Sequence, residues 1–321
     1  MAINPELSVI YGEVVLSLYP ILIKTVPTSL YSQVLARFLV FPALALAFGP
    51  FSDFKKIWGN PYEAFVGILH GFFNLGHVFM SYLSYKLLPA GTAVSLFYLY
   101  PIFNVIIGII AFNESYPAHI LFLIPLAILG TYLVATSVSE KEIEKEIEKE
   151  SIKTQQEKQA HGKQTYEKQT NKRYKLLGII AALLSAITES VIFFFIRSNS
   201  DAFKSPFYTV DHLYPAGLAA LLMYGITRPE EQKQKILDSS PINWIKLLGF
   251  NALLGFTGYI ARFYGLPKIS TVLFSLLSFV GVISAYIWGS LFADEKITKK
   301  GVLGSGLIAL SIGLLRYFGT V

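Results

Sequence analysis

Apolar positions in this chain come in long, nearly unbroken runs, without the alternating or 3.6-residue stripes of half-buried strands and helices. A helix needs about 20 such residues to cross the hydrocarbon of a bilayer. Five runs reach that scale in the first part of the chain: Leu7 to Val26, Leu30 to Phe48, Tyr62 to Leu83, Thr92 to Phe112 and Ala118 to Ser137. Five follow: Leu176 to Ile196, Phe207 to Ile226, Trp244 to Tyr264, Ser270 to Phe292 and Gly301 to Phe318. Turn chemistry separates them, as in "KTVPTS", "GPFSDFKKIWGNP", "LLPAG", "FNESYP", "TRPEEQ" and "ADEKITKK". Trp58, Tyr62, Trp244, Trp288, Tyr317 and Phe318 stand near run ends, where an interfacial aromatic belt is expected. The start of the chain has neither a basic segment nor a small-residue cleavage site, so the first run reads as a retained helix.

Between the two sets the pattern changes to "VSEKEIEKEIEKESIKTQQEKQAHGKQTYEKQTNKRYK". Glu142 with Lys145, Glu146 with Lys149 and Glu150 with Lys153 are spaced for helical ion pairs, with Ile143, Ile147 and Ile152 interleaved. This predicts a short solvated helix that frays into a Gln-rich segment, acting as a polar tether; a docking or regulatory helix is the alternative. The expected organisation is a five-helix half over 1–137, a charged linker over 138–175 and a second five-helix half over 176–321.

Composition agrees with a lipid-embedded chain: mean hydropathy is +0.52, and 15% of residues are charged against about a quarter in soluble domains. Cysteine is absent, which excludes disulfides and Cys-based zinc or iron–sulfur sites. The net charge of +6 is scattered over loops and does not form a nucleic-acid footprint.

Five crossings per half have a geometric consequence. If the halves are homologous, the second is inserted upside down relative to the first, the inverted-repeat plan of many secondary transporters. The sequence does repeat. "LLPAGTAVSLFYLYPIFNVIIGIIAFNES" aligns with "LPKISTVLFSLLSFVGVISAYIWGSLFADEK" so that Gly108 meets Gly289 and Glu114 meets Glu295. A helix with a late glycine follows in each half, Gly130 and Gly313, and the first helix of each half holds one buried-looking acid, Glu13 and Glu189.

These segments, with "LAILGTYLVA" and "GLIALSIGLLRY" after them, resemble the end of an EamA-type domain of the drug/metabolite transporter superfamily. The family's turn usually reads Gly-Glu-Arg; here it is Asn113-Glu114-Ser115 and Asp294-Glu295-Lys296, with the glutamate kept. Lys24 closing the first helix and Arg37 within the second also resemble the family layout. The resemblance covers all but the linker and implies an all-α integral membrane protein of ten transmembrane helices. It further implies a substrate cavity near the midplane and alternating access.

Polar residues inside lipid-spanning helices are costly and tend to face a bundle interior or a water-filled path. Glu13 and Glu189 are candidates for proton coupling or for a cationic substrate group; the plainer reading is pairing with a base such as Arg37 or capping a helix end close to the interface. His70, Asn74 and His77 share one helical face and suggest a cavity wall. A metal is not expected there, because no third ligand lies nearby in sequence. Gly67 and Gly71 on the same stretch suggest close helix packing. Tyr98, Tyr100 and Asn104 flank Pro101, and Asp211, His212 and Tyr214 precede Pro215. In the eighth run stand Asn251, Tyr259 and Arg262; Arg262 either clamps an anion or snorkels at a helix end.

Orientation is read two ways. With the N-terminus outside, the cytosolic loops hold nine Lys/Arg against six, or nineteen against six with the linker; the family resemblance implies cytosolic termini. Functionally, the expectation is a secondary active transporter of small polar or amphipathic metabolites, such as exported amino acids or related compounds. The alternative is a nucleotide-sugar or organophosphate antiporter, which needs two or more cations in the cavity. The alternative of another class is a membrane-embedded enzyme or a channel-like protein; no HExxH, GxSxG or phosphate loop supports the enzyme, and no cofactor is expected. Expected partners are a small-molecule substrate, the lipid bilayer and protons or an exchanged solute, with a homodimer left open. The membrane is the plasma membrane in a prokaryote or an organelle membrane in a eukaryote.

Overall fold

The structure, a computed structural model, describes residues 3–88, 90–137, 164–199, 205–226, 240–293 and 295–318, with 90, 91, 164–172 and 226 described by backbone alone. The described residues are almost wholly helical, with no strand. Among them, nine helices are long and apolar enough to cross a membrane. The seventh expected crossing is present as two pieces, Pro206–Asp211 and Tyr214–Ile226. The protein is an all-α integral membrane protein built as two five-helix repeats.

The expected solvated helix around Glu142 to Lys153 lies outside the described residues. The sixth crossing, Gln164–Ser198, begins well before Leu176, so the final part of the expected linker is helical. The "GPFSDFKKIWGNP" connection is also more than a turn: Phe51–Trp58 forms a short helix there.

Several crossings are broken, and three breaks share one sequence. Pro5–Leu16 gives way to Tyr19–Thr25, Ala90–Phe97 to Tyr100–Phe112, and Pro206–Asp211 to Tyr214–Ile226. Each restart falls on the tyrosine of a Leu-Tyr-Pro triplet: Leu18-Tyr19-Pro20, Leu99-Tyr100-Pro101 and Leu213-Tyr214-Pro215. Proline lacks the N–H of the continuing ladder but suits the first turn of a new helix. Freed backbone groups must then find other partners. At the first break, the Val14 carbonyl accepts from Ser17 Oγ at 2.7 Å and from Trp288 Nε1 at 3.1 Å. The Trp288 indole thus satisfies a backbone carbonyl of the first crossing. The ninth crossing breaks at Phe279, between Thr271–Ser278 and Val280–Phe292, without a proline.

The repeat aligned in the sequence has a structural counterpart. The amide of Glu114 donates to the Gly108 carbonyl at 3.0 Å, and that of Glu295 to the Gly289 carbonyl at 3.1 Å. Each carboxylate folds back over its glycine, and a Cβ on Gly108 or Gly289 would lie 2.7 or 2.5 Å from the acid's Oε2. In the first copy Asn113 takes the left-handed conformation (φ 53°), a usual helix-ending role for Asn.

Across the repeats, the third crossing (Pro61–Leu87) packs on the sixth, the first on the eighth, and the fifth (Ala118–Ala135) on the tenth (Lys299–Phe318). The last pair meets at Gly130 and Gly304, each facing the other's carbonyl; the expected late glycine Gly313 faces open space. Gly67 and Gly71 accommodate the seventh-crossing break, where a Cβ would meet the His212 ring at 3.1 Å and the His212 carbonyl at 2.6 Å.

Candidate functional site

Two local features of the eighth crossing build the centre. Between Pro241–Phe250 and Phe256–Gly265 the helix widens into a π turn over Asn251–Gly255. One extra residue rotates the following side chains by roughly 100°, re-aiming Tyr259 and Arg262. Against this stretch the first crossing presents Gly12, whose absent side chain admits Arg262: a Cβ there would lie 2.7 Å from Arg262 Cβ and 2.8 Å from the Gly258 carbonyl oxygen. Glu13 follows directly and meets the guanidinium.

Arg262 Nε donates to Glu13 Oε1 at 2.7 Å, Nη1 donates to Glu189 Oε1, and Nη2 donates to the Tyr100 hydroxyl at 2.9 Å. Tyr98 donates to Glu13 Oε2 at 2.8 Å and Tyr100 to Oε1 at 3.3 Å. Glu189 Oε2 lies 3.4 Å from His77 Nε2, and His77 Nδ1 lies 3.2 Å from the Ser185 carbonyl oxygen. Ser185 Oγ also lies 3.2 Å from His77 Nδ1, so the imidazole sits between Ser185 and Glu189. All four charged groups of the centre are buried: Glu13 2%, Glu189 4%, Arg262 5% and Arg37 7% exposed.

This geometry changes two expectations. The carboxylates pair with Arg262 and not with Arg37. Arg262 does not snorkel; it joins an acid of the first half to an acid of the second, because the Gly12 contact and the π turn carry it inward. Arg37 takes part in none of the ion pairs among the described residues. Its guanidinium instead lies over the rings of Tyr19 (4.8 Å), Phe41 (5.0 Å) and Tyr259 (5.8 Å).

A cavity of about 50 Å³ sits among these groups, lined by Glu13, Arg37, Asn74, His77, Tyr98, Glu189, Tyr259 and Arg262 together with Tyr19, Ser81, Tyr82 and Tyr85. Ligand pockets usually run to about 300–1,000 Å³, so the centre is closed down around its polar groups. Two of the expected cavity residues do not line it. His70 is fully buried behind the wall, its Nδ1 3.2 Å from His212 Nδ1 and its Nε2 3.2 Å from the Asn74 amide. Asn74 in turn accepts from the Tyr259 hydroxyl at 3.2 Å. Asn104 lies in the fourth crossing away from the cavity, fully buried, with neither amide atom hydrogen-bonded. Asp211, His212 and Tyr214 sit at the seventh-crossing break. Among the described residues no group of three or more His, Cys, Asp or Glu is placed to hold a metal.

Tyr19, Ser81, Tyr82, Tyr85 and Ser185 escaped the sequence reading. Tyr19 donates to Asn251 Oδ1 at 2.8 Å and covers Arg37; its signal was the repeated Leu-Tyr-Pro triplet. Tyr82 and Ser185 carry no local motif, and only the packing of the third and sixth crossings brings them to the centre.

The sequence matches the EamA-like transporter family over residues 5–136 and again over 176–317. The chain belongs to that family. It is thus a membrane transporter of the drug/metabolite transporter superfamily, with one family domain in each half. A solved structure titled only as the crystal structure of a protein is similar in fold, with a TM-score of 0.67 at 12% identity, over 98% of this chain and 95% of that one. Comparison with curated proteins gives no match. In this EamA-like transporter, the Glu13–Arg262–Glu189 clasp joins the first copy of the family domain to the second.

Proposed function

We propose that this protein is a secondary active transporter that carries small polar or amphipathic metabolites, amino acids or related compounds, by alternating access, in the direction of export. The observation that carries this reading is Arg262 holding Glu13 and Glu189, one from each repeat, at the wall of a closed central cavity. A buried ion pair is stable while intact and costly when one partner is withdrawn. Relative movement of the repeats alters the grip of Arg262 on the two acids. A carboxylate released in a low-dielectric interior is then held neutral by taking up a proton. Tyr98, Tyr100 and His77 supply the hydrogen bonds and the proton exchange partner, and Asn74 and Tyr259 present neutral polar groups to the solute. An organophosphate substrate is disfavoured, since Arg262 is already held by two acids and, among the described residues lining the cavity, Arg37 is the one arginine without an ion-pair partner.

The test is reconstitution of the purified protein in liposomes, with flux of labelled amino acids measured under imposed proton gradients. Wild type is expected to respond to the gradient, and Glu13→Gln and Glu189→Gln to lose that response. Unchanged flux and pH dependence in the double variant would sink the coupling role, and no flux of any amino acid would sink the substrate class.

A further inference from the structure

The four buried charges at the centre do not form two equal pairs. Glu13, Glu189 and Arg262 form one cluster, in which a single guanidinium serves two carboxylates. Arg37 stands apart from it on the second crossing, with no carboxylate within 4.0 Å among the described residues. No carboxylate touches it from the elements that pack against it: the eighth crossing offers Tyr259, the first Tyr19, the third Tyr82, and its own helix Phe41, while Glu189 and His77 line the same cavity and feel its charge. Neutral phenols and ring faces stabilise a cation without cancelling its charge. A buried charge with no ion-pair partner in contact is expensive and points to a function. Arg37 also faces the cavity.

The cavity wall is therefore bipolar, with a net negative cluster at Glu13–Arg262–Glu189 and a lone positive group at Arg37. We infer that Arg37 anchors the anionic group of the transported solute, and that this solute is zwitterionic, with a carboxylate on Arg37 and an amine toward the two glutamates. The planar fork of the guanidinium suits a carboxylate in two-point contact. A phosphate dianion would call for a second free cation, which Arg262 does not provide. The aromatic faces of Tyr19, Phe41 and Tyr259 lie against the guanidinium, and the hydroxyls of Tyr19 and Tyr82 accept from it; with five N–H donors in all, the group keeps donors for a ligand. This inference rests on the transporter reading for the use of the site, but binding alone tests it.

The experiment measures binding to the full-length protein in detergent, by thermal shift and calorimetry, for the common amino acids one at a time. Each amino acid that binds is then compared with its methyl ester and with the amine lacking the carboxylate. Blocking or removing the carboxylate is expected to weaken binding about 10- to 100-fold, the worth of a hydrogen-bonded charge. Arg37→Gln should weaken the acid by a similar factor and abolish the difference between acid and ester, while Arg37→Lys recovers part of it. An ester that binds wild type as tightly as the acid overturns the inference, and so does an Arg37→Gln variant that still separates the two. Binding by glycerol 3-phosphate or simple amines but by no amino acid overturns it as well. If Arg37→Gln does not fold, the acid and ester comparison on wild type decides. An amino acid that binds through Arg37 but is never moved across a liposome would leave this inference standing and remove the transport reading. Flux of other solutes without amino-acid binding would do the reverse.

Discussion

Arg262 donates from Nε to Glu13 Oε1 at 2.7 Å, a bond between residues 249 apart that ties the eighth crossing to the first. Because the same guanidinium also holds Glu189, removing it strands two buried carboxylates. Arg262→Gln is expected to cost about 3–5 kcal/mol of stability, the penalty of breaking a buried pair. Glu13→Gln should cost much less, since Arg262 keeps Glu189. Denaturant unfolding in detergent compares the two, and equal losses would show that Arg262 does not organise both acids.

That contact exists because Gly12 has no side chain. Gly12→Ala would force its Cβ against Arg262 Cβ and the Gly258 carbonyl, two contacts under 3.0 Å, one of them to rigid backbone. The expected loss is about 1–3 kcal/mol, as for overpacking elsewhere. Gly76→Ala is the control. A Cβ there meets nothing within 4 Å, so the variant should be stabilised by about 0.5–1 kcal/mol through helix propensity alone. Melting temperatures that move the same way for both variants would refute the close-approach argument.

What was legible in the sequence follows from range. The runs of apolar residues depend only on local composition, and Leu30–Phe48 forms as read. The Gly108/Gly289 and Glu114/Glu295 register was legible because each repeat writes the same short-range motif. The site was legible only as a set of costly residues. Glu13, Glu189, His77 and Arg262 stood out because lipid makes them expensive, but their partners are set by packing between halves. Hence Arg37 was offered as the counter-ion that Arg262 turned out to be. His70 and Asn104 show the converse, since a polar residue within a crossing also finds its place in the packing behind the cavity.

At the helix end beyond the fourth crossing, Glu114 accepts from Tyr116 and from Arg197 Nη2 at 3.0 Å, and Arg197 Nη1 donates to the Ile269 carbonyl at 2.9 Å. Partial burial works against the ionised form of Glu114, but the bond from Tyr116 and the bond and charge of Arg197 outweigh it and hold its carboxyl below the ordinary 4.5. For a depressed carboxylate the stabilisation is fully present above the unfolded value, and it disappears as pH falls through the lower folded value. Wild type should therefore lose stability below about pH 4.5 relative to Glu114→Gln, by about 0.2–1 kcal/mol for a partly buried pair near the helix end. Thermal melts of both proteins at a series of acidic pH values measure the difference. A constant gap between them down to the lowest pH would remove Glu114 as the titrating group.

Asn104 separates structure from function most cleanly. It is fully buried in the fourth crossing, neither its amide nitrogen nor its oxygen is hydrogen-bonded, and it stands off the cavity wall. A buried polar group without partners costs about 1–3 kcal/mol, and an apolar group of the same shape removes that cost. Leucine is close to asparagine in reach and suits a helix facing lipid-embedded neighbours. Asn104→Leu is expected to raise the melting temperature and to leave ligand binding and flux as they are. Flux lost with stability gained would mean that Asn104 finds its partner only when the repeats move, and would return it to the transport path. Stability lost as well would mean that its amide is bonded within the folded protein after all.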